Sequence, residues 1–424
     1  MDYFLIASLL VITSAVFGYV NLRFLKLPNT IGLMLMGILL TLGLFLFARI
    51  DDTPLHFAED LIERIDFKTV VLDVMLGFLL FAGALHTDLE RLRKQGWPIV
   101  LFATVGVVTS VLLVGVLVHW GFAAVGHPVS FMYCLLFGAV ISPTDPIAVL
   151  GVMKQAGVPV ALETNIVGES LFNDGVGVVV FITLVSIAQG TAAEGDLIGA
   201  VAYTFSIEVF GGVLLGLLLG WICYRLMRRI NDYEIEVMIT LACVMGGYAG
   251  AQLLHVSGPL AMVTAGLLLG NSGVRQASMS ERTEELVDKF WHLVDVLLNA
   301  LLFVLIGLEL LVVDFGATEL LAGLLAVVLV LFARYTSLLL PVRLFAKKLD
   351  FPKHTTAIMT WGGLRGGLSI ALALGLPASP DRDLLIAVTY VVVVFSILVQ
   401  GLTLGRLTNR LLGRKSAAPR SAAS

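Results

Sequence analysis

The apolar residues of this chain are gathered into successive stretches of about 20, and this grouping limits the possible folds more than any other feature. A stretch of ~20 apolar residues is long enough to cross the ~30 Å hydrocarbon core of a bilayer as an α-helix. Of the 424 residues, 58% are hydrophobic and 14% are charged, whereas roughly a quarter are charged in a soluble domain. The sequence therefore excludes a soluble globular protein and predicts an all-α polytopic membrane protein.

Polar residues, glycines and prolines divide the chain into thirteen apolar segments. They span approximately 2–21, 28–48, 67–87, 97–118, 130–153, 163–189, 200–227, 234–254, 257–273, 290–312, 319–342, 354–376 and 384–408. We interpret residues 1–412 as a single transmembrane domain. Its halves, about 1–190 and 231–412, are joined by a linker helix at about 200–227, and residues 413–424 are predicted to form a short disordered tail.

The loops between these segments alternate in charge, which tests the number of crossings. The loops predicted to share one side hold 21 of the 27 lysines and arginines, including Arg91 and Arg275, whereas the opposite loops are mainly acidic. Basic loops stay on the cytoplasmic side of a membrane. We therefore predict a multi-pass protein of the inner (plasma) membrane with its amino terminus outside and its carboxyl terminus in the cytoplasm. The small net charge of −4 gives no reason to expect a nucleic-acid partner.

Some charged residues lie inside the apolar segments, where each costs at least ~2.5–3.5 kcal/mol and is a functional candidate. Asp174 and Arg365 each lie about 11 residues into their segments, or about 16 Å deep, and Asp145 lies about 14 Å from its end. Three segments thus place charge near the bilayer midplane. The other candidates, for which a structural role is an open alternative, are Asp73, Glu208, Asp295, Glu309 and Arg334.

Two segments also contain a helix break at this depth. In SPTDP at 142–146 two prolines disfavour helix, and WGGLRGG at 361–367 places four glycines around Arg365. The breaks lie in the fifth and twelfth segments, which cross the membrane in opposite directions. Inverted six-helix repeats with two crossing broken helices, near 142–146 and 362–367, are typical of secondary transporters.

The sixth segment presents a polar face beside these breaks. At 100° per residue, Glu169, Ser170, Asn173 and Asp174 fall within one arc. Their carboxylate, hydroxyl and amide oxygens are ligands that hard cations such as Na⁺ prefer. A carboxylate removed from water also holds a proton more readily, so the residues predict one site for which a cation and a proton compete.

Four motifs carry a resemblance that covers residues 5 to 410. They are SPTDP at 142–146, GESLFNDG at 168–175, LFVLIGLE at 302–309 and WGGLRGG at 361–367. In these motifs the chain resembles the bacterial and archaeal sodium/proton antiporters of the cation/proton antiporter-1 family, relatives of the sodium/hydrogen exchangers. The resemblance implies a homodimer in the lipid bilayer that exchanges monovalent cations for protons, without a cofactor, and serves sodium transport and pH homeostasis.

The resemblance also implies roles for individual residues. Asp174 would bind either the cation or the proton, and Asn173 marks the electroneutral branch of the family, which predicts 1:1 exchange. Thr144, through its main-chain carbonyl, and Ser170 would complete the cation's shell, with Asp145 beside them. Glu169 and Arg365 would form a buried structural ion pair.

The chain departs from some family members on the third segment, which offers no acidic residue near the ion between Leu79 and His86. A K⁺/H⁺ or Li⁺-accepting antiporter would use the same site residues. A channel is a further alternative, although it does not need two inverted broken helices. A membrane-embedded enzyme is disfavoured because the sequence has no GxSxG or HExxH motif, so we predict a transporter rather than an enzyme.

Overall fold

A computed structural model describes residues 3–145, 149, 153, 158–190, 197–313, 315–346, 349 and 351–413, and helices are the regular secondary structure of this part. Most of the long helices begin and end within a few residues of the predicted segment bounds. The helices, in chain order, are α1 (Tyr3–Val20), α2 (Asn29–Phe47), α3 (Thr53–Glu63), α4 (Phe67–Leu85), α5 (Leu89–Lys94), α6 (Gly96–Ala124), α7 (Phe131–Ile141), α8 (Val160–Ala188), α9 (Leu197–Met227), α10 (Tyr233–Leu253), α11 (Gly258–Leu269), α12 (Ser272–Ser278), α13 (Glu281–Glu309), α14 (Ala317–Phe345), α15 (Thr355–Gly362), α16 (Gly367–Leu374) and α17 (Arg382–Leu411).

The predicted all-helical membrane class is confirmed. Within the described ranges, ten helices are long and apolar enough to cross a membrane, and α15 with α16, bent by 56° at their junction, adds an eleventh candidate. The shorter apolar helices α7 and α11 fall in the fifth and ninth predicted segments. The total of thirteen crossings remains a prediction. The part of the fifth predicted segment beyond Asp145 lies outside the described residues except for Val149 and Met153, as does the predicted tail beyond Gly413.

Short polar side chains set where several of these helices begin. The Ser130 hydroxyl accepts a hydrogen bond from the Tyr133 N–H at the start of α7. Ser280 and Thr283 form a reciprocal capping box at the start of α13. Because the first N–H groups of a helix have no partner within it, these caps allow helices to start at defined positions in an otherwise apolar sequence.

The membrane helices pack as two groups. We call the first group the panel; it contains α1, α2, α4, α9, α10, α11 and α13. We call the second group the core bundle; it contains α6, α7, α8, α14, α15, α16 and α17. Contacts between the groups run mainly from α8 to α9 and α11, and from α16 to α4 and α13. Both helix breaks therefore belong to the core bundle, and the panel faces them.

Two glycines bring α2 and α13 into backbone contact inside the panel. A Cβ atom on Gly307 would lie 2.6 Å from the Cα of Gly37, so a larger residue there would force the helices apart. The Thr41 hydroxyl donates to the Gly307 carbonyl oxygen over 2.8 Å. Small residues with an interhelical hydrogen bond are a common means of close helix packing in membranes.

Arg275 on α12 ties two basic loops to the same end of the molecule. Its guanidinium donates to the Leu85 carbonyl oxygen over 2.9 Å and pairs with Asp288 at 2.7 Å and Glu284 at 3.2 Å. Burial disfavours the charged form of Arg275, but these two carboxylates outweigh it and raise the pKa of the guanidinium. We call the end formed by residues 86–95 and 270–288 the basic end because its five lysines and arginines mark the predicted cytoplasmic side, although six acidic residues lie there too.

A buried ion pair joins α8 and α14 within the core bundle. An oxygen of the Glu169 carboxylate lies 2.5 Å from Nη2 of Arg334, and the two side chains are 1% and 3% exposed. The prediction that Arg365 is the partner of Glu169 is wrong in this structure.

Arg365 instead forms hydrogen bonds with the break in the fifth segment. Its Nη1 atom donates to the carbonyl oxygens of Ser142 and Pro143 over 3.0 and 3.1 Å. In a continuous helix the Ser142 carbonyl would accept from the backbone of residue 146, which is a proline without an N–H. Arg365 supplies the missing donor, and Arg334 is left to balance Glu169.

The pairing predicts a specific loss of stability. Arg334→Met leaves the Glu169 carboxylate buried and unpaired, so we expect destabilisation by about 3–5 kcal/mol, measured as a lower thermal denaturation midpoint of the purified protein in detergent. Glu169→Gln added to Arg334→Met removes the uncompensated charge and should recover part of the loss.

A matched control is the exposed pair of Lys289 and Glu285 on α13, whose charged atoms are 2.6 Å apart with side chains 67% and 66% exposed. Lys289→Met should change stability by about 0–1 kcal/mol. Equal midpoints for Arg334→Met and Lys289→Met would contradict a structural role for the buried pair.

Candidate ion-binding site

The two helix breaks meet in the middle of the core bundle. Helix α7 ends at Ile141 and the chain is non-helical up to Asp145; α15 ends at Gly362, and α16 begins at Gly367. The Asp145 N–H donates to the Leu364 carbonyl oxygen over 2.8 Å. The two unwound peptides thus bond each other directly, as the sequence predicted for crossing broken helices. Buried backbone of this kind is tolerated at membrane depth because protein groups satisfy it.

Side-chain donors and acceptors hold the second break in place. The Arg365 N–H donates to the hydroxyl of Ser396 on α17 over 2.9 Å, while the guanidinium of Arg365 reaches the first break. A Cβ atom on Gly366 would lie 2.5 Å from the carboxylate oxygen Oδ2 of Asp145. Glycine at this position lets the backbone approach the carboxylate closely.

A small glycine also fits α8 against the first break. A Cβ atom on Gly177 would lie 2.3 Å from the ring of Pro143. Gly177 lies about one turn beyond Asn173 on α8, so the missing side chain lets the polar stretch of α8 come alongside residues 142–145. Local sequence therefore controls the distance between α8 and the first break.

Thr144, Ser170 and Asn173 form one hydrogen-bonded cluster. The amide of Asn173 accepts from the Thr144 N–H over 3.2 Å and donates to the Thr144 hydroxyl over 2.8 Å. The hydroxyls of Thr144 and Ser170 are 2.8 Å apart, and all three side chains are buried. These residues, which the sequence predicted to share a site, lie together in the structure.

Asp174 and Asp145 line a small cavity beside this cluster. The cavity has a volume of about 60 Å³ and lies between α4, α8, α13 and the two breaks. Asp174 is 7% exposed. Among the described residues, the cavity wall includes both carboxylates but not Thr144, Ser170 or Asn173. The remaining lining is mostly apolar, with the polar residues Asn299 and Ser369.

A larger funnel of about 440 Å³ leads toward this cavity from the basic end. The funnel and the cavity share one lining residue, Gly83 on α4. Charged and titratable side chains line the funnel: His86, Asp88, Arg91, Glu163, His292 and Asp295. The rings of His86 and His292 pack edge to face with centroids 6.3 Å apart. An ion entering from the basic end therefore meets polar side chains before the apolar cavity.

The other charged candidates take different positions. Asp73 on α4 accepts a hydrogen bond from Gln252 on α10 over 2.9 Å, inside the panel. The residues of α4 that line the cavity are apolar, in agreement with the expected lack of an acidic ligand there. Glu208 is half-buried and Glu309 is buried; neither lines the cavity.

Sequence reasoning missed the roles of three side chains. Arg334 was recognised as a charge inside a segment but not as the partner of Glu169. Asn299 lines the cavity and Ser396 binds the second break, yet neither was a candidate. The available signal for Asn299 was its position four residues after Asp295, which puts both polar groups on one helix face.

The geometry suits a small monovalent cation or a proton. Two carboxylates face a cavity large enough for a few water-sized particles, and the surrounding apolar wall favours neutralisation of their charge. Within the described ranges, no group of three or more His, Cys, Asp or Glu side chains could hold a resident metal ion.

Comparisons with known proteins agree with this architecture. The sequence profile described as "Sodium/hydrogen exchanger, transmembrane" matches residues 11–410. The chain is 47% identical over 412 residues to a Na⁺/H⁺ antiporter, NhaP, of Pseudomonas aeruginosa, covering 96% of each protein. It is 33% identical over 393 residues to the Na⁺/H⁺ antiporter NhaH of Halobacillus dabanensis, covering 92% of this chain and 93% of NhaH.

The fold also matches that of a solved structure. The sodium proton antiporter MjNhaP1 from Methanocaldococcus jannaschii superimposes with a TM-score of 0.73 at 20% identity, covering 96% of this chain and 98% of that structure. The helical architecture is shared despite the low identity. The relatives confirm the prediction of a transporter rather than an enzyme. The chain belongs to the sodium/hydrogen exchanger family.

Proposed function

We propose that this protein is a Na⁺/H⁺ antiporter in which the Asp174 carboxylate carries either one Na⁺ or one H⁺ across the membrane. The observation that carries the proposal is the pair of carboxylates, Asp174 and Asp145, facing one cavity at the crossing of two unwound peptides. The names of the relatives, which are Na⁺/H⁺ antiporters, support the choice of ions.

The charges buried around the crossing support electroneutral 1:1 exchange. Arg334 and Arg365 contribute two positive charges, which Glu169 and Asp145 balance when both are ionised. Asp174 then needs one monovalent cation or one proton to reach neutrality within this group. Moving a net charge through hydrocarbon is unfavourable, so this balance favours carrying one positive charge in each direction.

The hydrogen-bonded cluster supports a role for Thr144, Ser170 and Asn173 beside the ion cavity. The Asn173 amide fixes the Thr144 backbone and hydroxyl together, which limits how far the first break can move. In this proposal the Thr144 main-chain carbonyl and the Ser170 hydroxyl contribute oxygen ligands. Asn173 and Asp145 hold these ligands close to Asp174.

The division into panel and core bundle supports alternating access. The ion cavity lies where α8 and α16 of the core bundle meet α4 and α13 of the panel. A relative shift of the two groups would change which end of the protein reaches Asp174. In the described conformation the funnel approaches the cavity from the basic end.

The distribution of charge supports an orientation with the basic end in the cytoplasm. At the opposite end, which is predicted to lie outside, the Ser130 N–H donates to the Asp381 carboxylate over 3.1 Å. This hydrogen bond holds two loops of that end together. Under this proposal the protein is an inner-membrane homodimer and the funnel faces the cytoplasm.

The role of Asp174 can be tested in everted membrane vesicles. A Na⁺ pulse should collapse an imposed pH gradient, read from a pH-sensitive dye, and Asp174→Asn should reduce the response to that of vesicles without the protein. Asp73→Asn, which keeps the hydrogen bond to Gln252 outside the cavity, should behave like the unsubstituted protein. Full exchange by Asp174→Asn would overturn the assignment.

The same assay separates the possible cations. Pulses of Na⁺, Li⁺ and K⁺ at matched concentration compare the proposed Na⁺/H⁺ exchange with a K⁺/H⁺ or Li⁺-accepting antiporter, because all would use the same carboxylate. We expect the Na⁺ response to exceed the K⁺ response. A response to K⁺ alone would contradict Na⁺ as the substrate.

Electroneutrality predicts that membrane potential leaves the exchange rate unchanged. In proteoliposomes clamped at different potentials by K⁺ and valinomycin, the initial rate of Na⁺-driven proton movement should stay constant. By comparison, an exchange that moves one net charge across the membrane would gain or lose about 2.3 kcal/mol of driving force per 100 mV. A rate that rises or falls steadily with potential would rule out 1:1 exchange.

A further inference from the structure

Asp295 and Asn299 occupy successive turns of α13 between the funnel and the ion cavity. Asp295 lines the funnel and Asn299 lines the cavity. The positions are four residues apart, so both side chains lie on the same helix face. An ion passing from the funnel to Asp174 therefore moves along this face of α13.

The Asn299 amide has a defined orientation. Its nitrogen Nδ2 donates to the Asp295 carboxylate over 2.9 Å and to the Asp295 carbonyl oxygen over 2.8 Å. Both protons of the amide nitrogen are therefore committed to Asp295. Within the described ranges, both hydrogen bonds of the Asn299 side chain are made by its nitrogen, so the carbonyl oxygen Oδ1 is the polar atom that this buried residue can offer to the cavity.

An amide oxygen held in this way suits a cation rather than a proton. Amide and carboxylate oxygens are ligands of hard cations, whereas an amide is not protonated in the pH range in which proteins function. The rest of the cavity wall between Gly83 and the two carboxylates is mostly apolar. The Asn299 oxygen is thus a polar group that an incoming cation meets between the funnel and Asp174.

We infer that Asn299 is a cation-binding residue of the entry route and that Asp295 is its positioning residue. The Asn299 oxygen replaces part of the hydration shell as the cation leaves the funnel, and the Asp295 carboxylate keeps that oxygen directed to the cavity by holding the amide nitrogen. This inference rests on the proposed function and assigns the route of the same ion.

Two features separate this role from general attraction by a negative funnel. The funnel also contains Asp88, Glu163 and Arg91, so the Asp295 charge is one of several there. The hydrogen bond from Asn299, however, needs an acceptor at position 295. Asparagine at that position still offers a side-chain acceptor oxygen, whereas alanine leaves the Asn299 amide only the carbonyl oxygen of residue 295.

The experiment measures the initial rate of Na⁺/H⁺ exchange against Na⁺ concentration in everted vesicles, which present the funnel to the medium. We expect Asn299→Ala to raise the KM for Na⁺ about tenfold with kcat within twofold, and Asp295→Ala to behave alike. For Asp295→Asn, by contrast, the KM for Na⁺ should stay close to that of the unsubstituted protein. In right-side-out vesicles, Na⁺ added from the opposite face should show an unchanged KM.

The double variant Asp295→Ala with Asn299→Ala tests whether the residues act as one unit. If Asp295 acts through Asn299, the double variant is no worse than either single variant. Multiplicative increases in KM, or an Asp295→Asn variant as poor as Asp295→Ala, would show that the Asp295 charge acts on its own and would overturn its positioning role.

Other outcomes separate this inference from the proposed function. An unchanged KM in Asn299→Ala, with normal exchange by the unsubstituted protein and none by Asp174→Asn, would overturn the entry role and leave the function intact. Failure of the unsubstituted protein to exchange Na⁺ would overturn the function itself. Size-exclusion profiles in detergent identify any variant that does not fold, and Asn299→Ser, which keeps an oxygen, then replaces Asn299→Ala with a smaller expected rise in KM.

Discussion

A carbonyl oxygen without a backbone donor in the middle of a membrane is the constraint on which this structure depends. Hydrocarbon offers such a group no hydrogen bond, and the proline at position 146 removes the N–H that a helix would supply to Ser142. The Arg365 guanidinium satisfies the Ser142 and Pro143 carbonyls. Its own position requires the glycine-rich break in which it lies, so the two breaks stabilise each other and together form one side of the cavity.

Burying Arg365 in this way creates an electrostatic requirement in the rest of the core bundle. Two arginines near the midplane need compensating carboxylates, because an unpaired charge in a low-dielectric interior is strongly destabilising. Glu169 lies against Arg334, and Asp145 lies at the crossing close to the Arg365 break. In the proposed function, the charge of Asp174 is then neutralised by the bound cation or proton. Under the proposed function, the structural charges and the exchangeable charge are thus carried by neighbouring residues.

The sequence predicted much of this arrangement because its signals act along one helix. Proline and glycine spacing located both breaks, and the 100° periodicity of α8 placed Ser170, Asn173 and Asp174 on one face. The partner of Glu169 could not be found in this way, since Arg334 and Arg365 lie on different helices and only their packing decides which one reaches it. Asn299 was missed because the candidates inside apolar segments were selected by charge, and an amide is uncharged. The number of crossings remains a prediction.

The backbone contact between Gly37 and Gly307 has a consequence for the entry route. Asn299 lies eight residues before Gly307 on the same helix, or about 12 Å along its axis. Where two helix backbones touch, no side chain between them can change rotamer to absorb a rotation or a slide. The contact of Gly37 with Gly307 therefore limits rotation of α13, and with it the face on which Asn299 lies, through two residues that have no side chain and do not line the cavity.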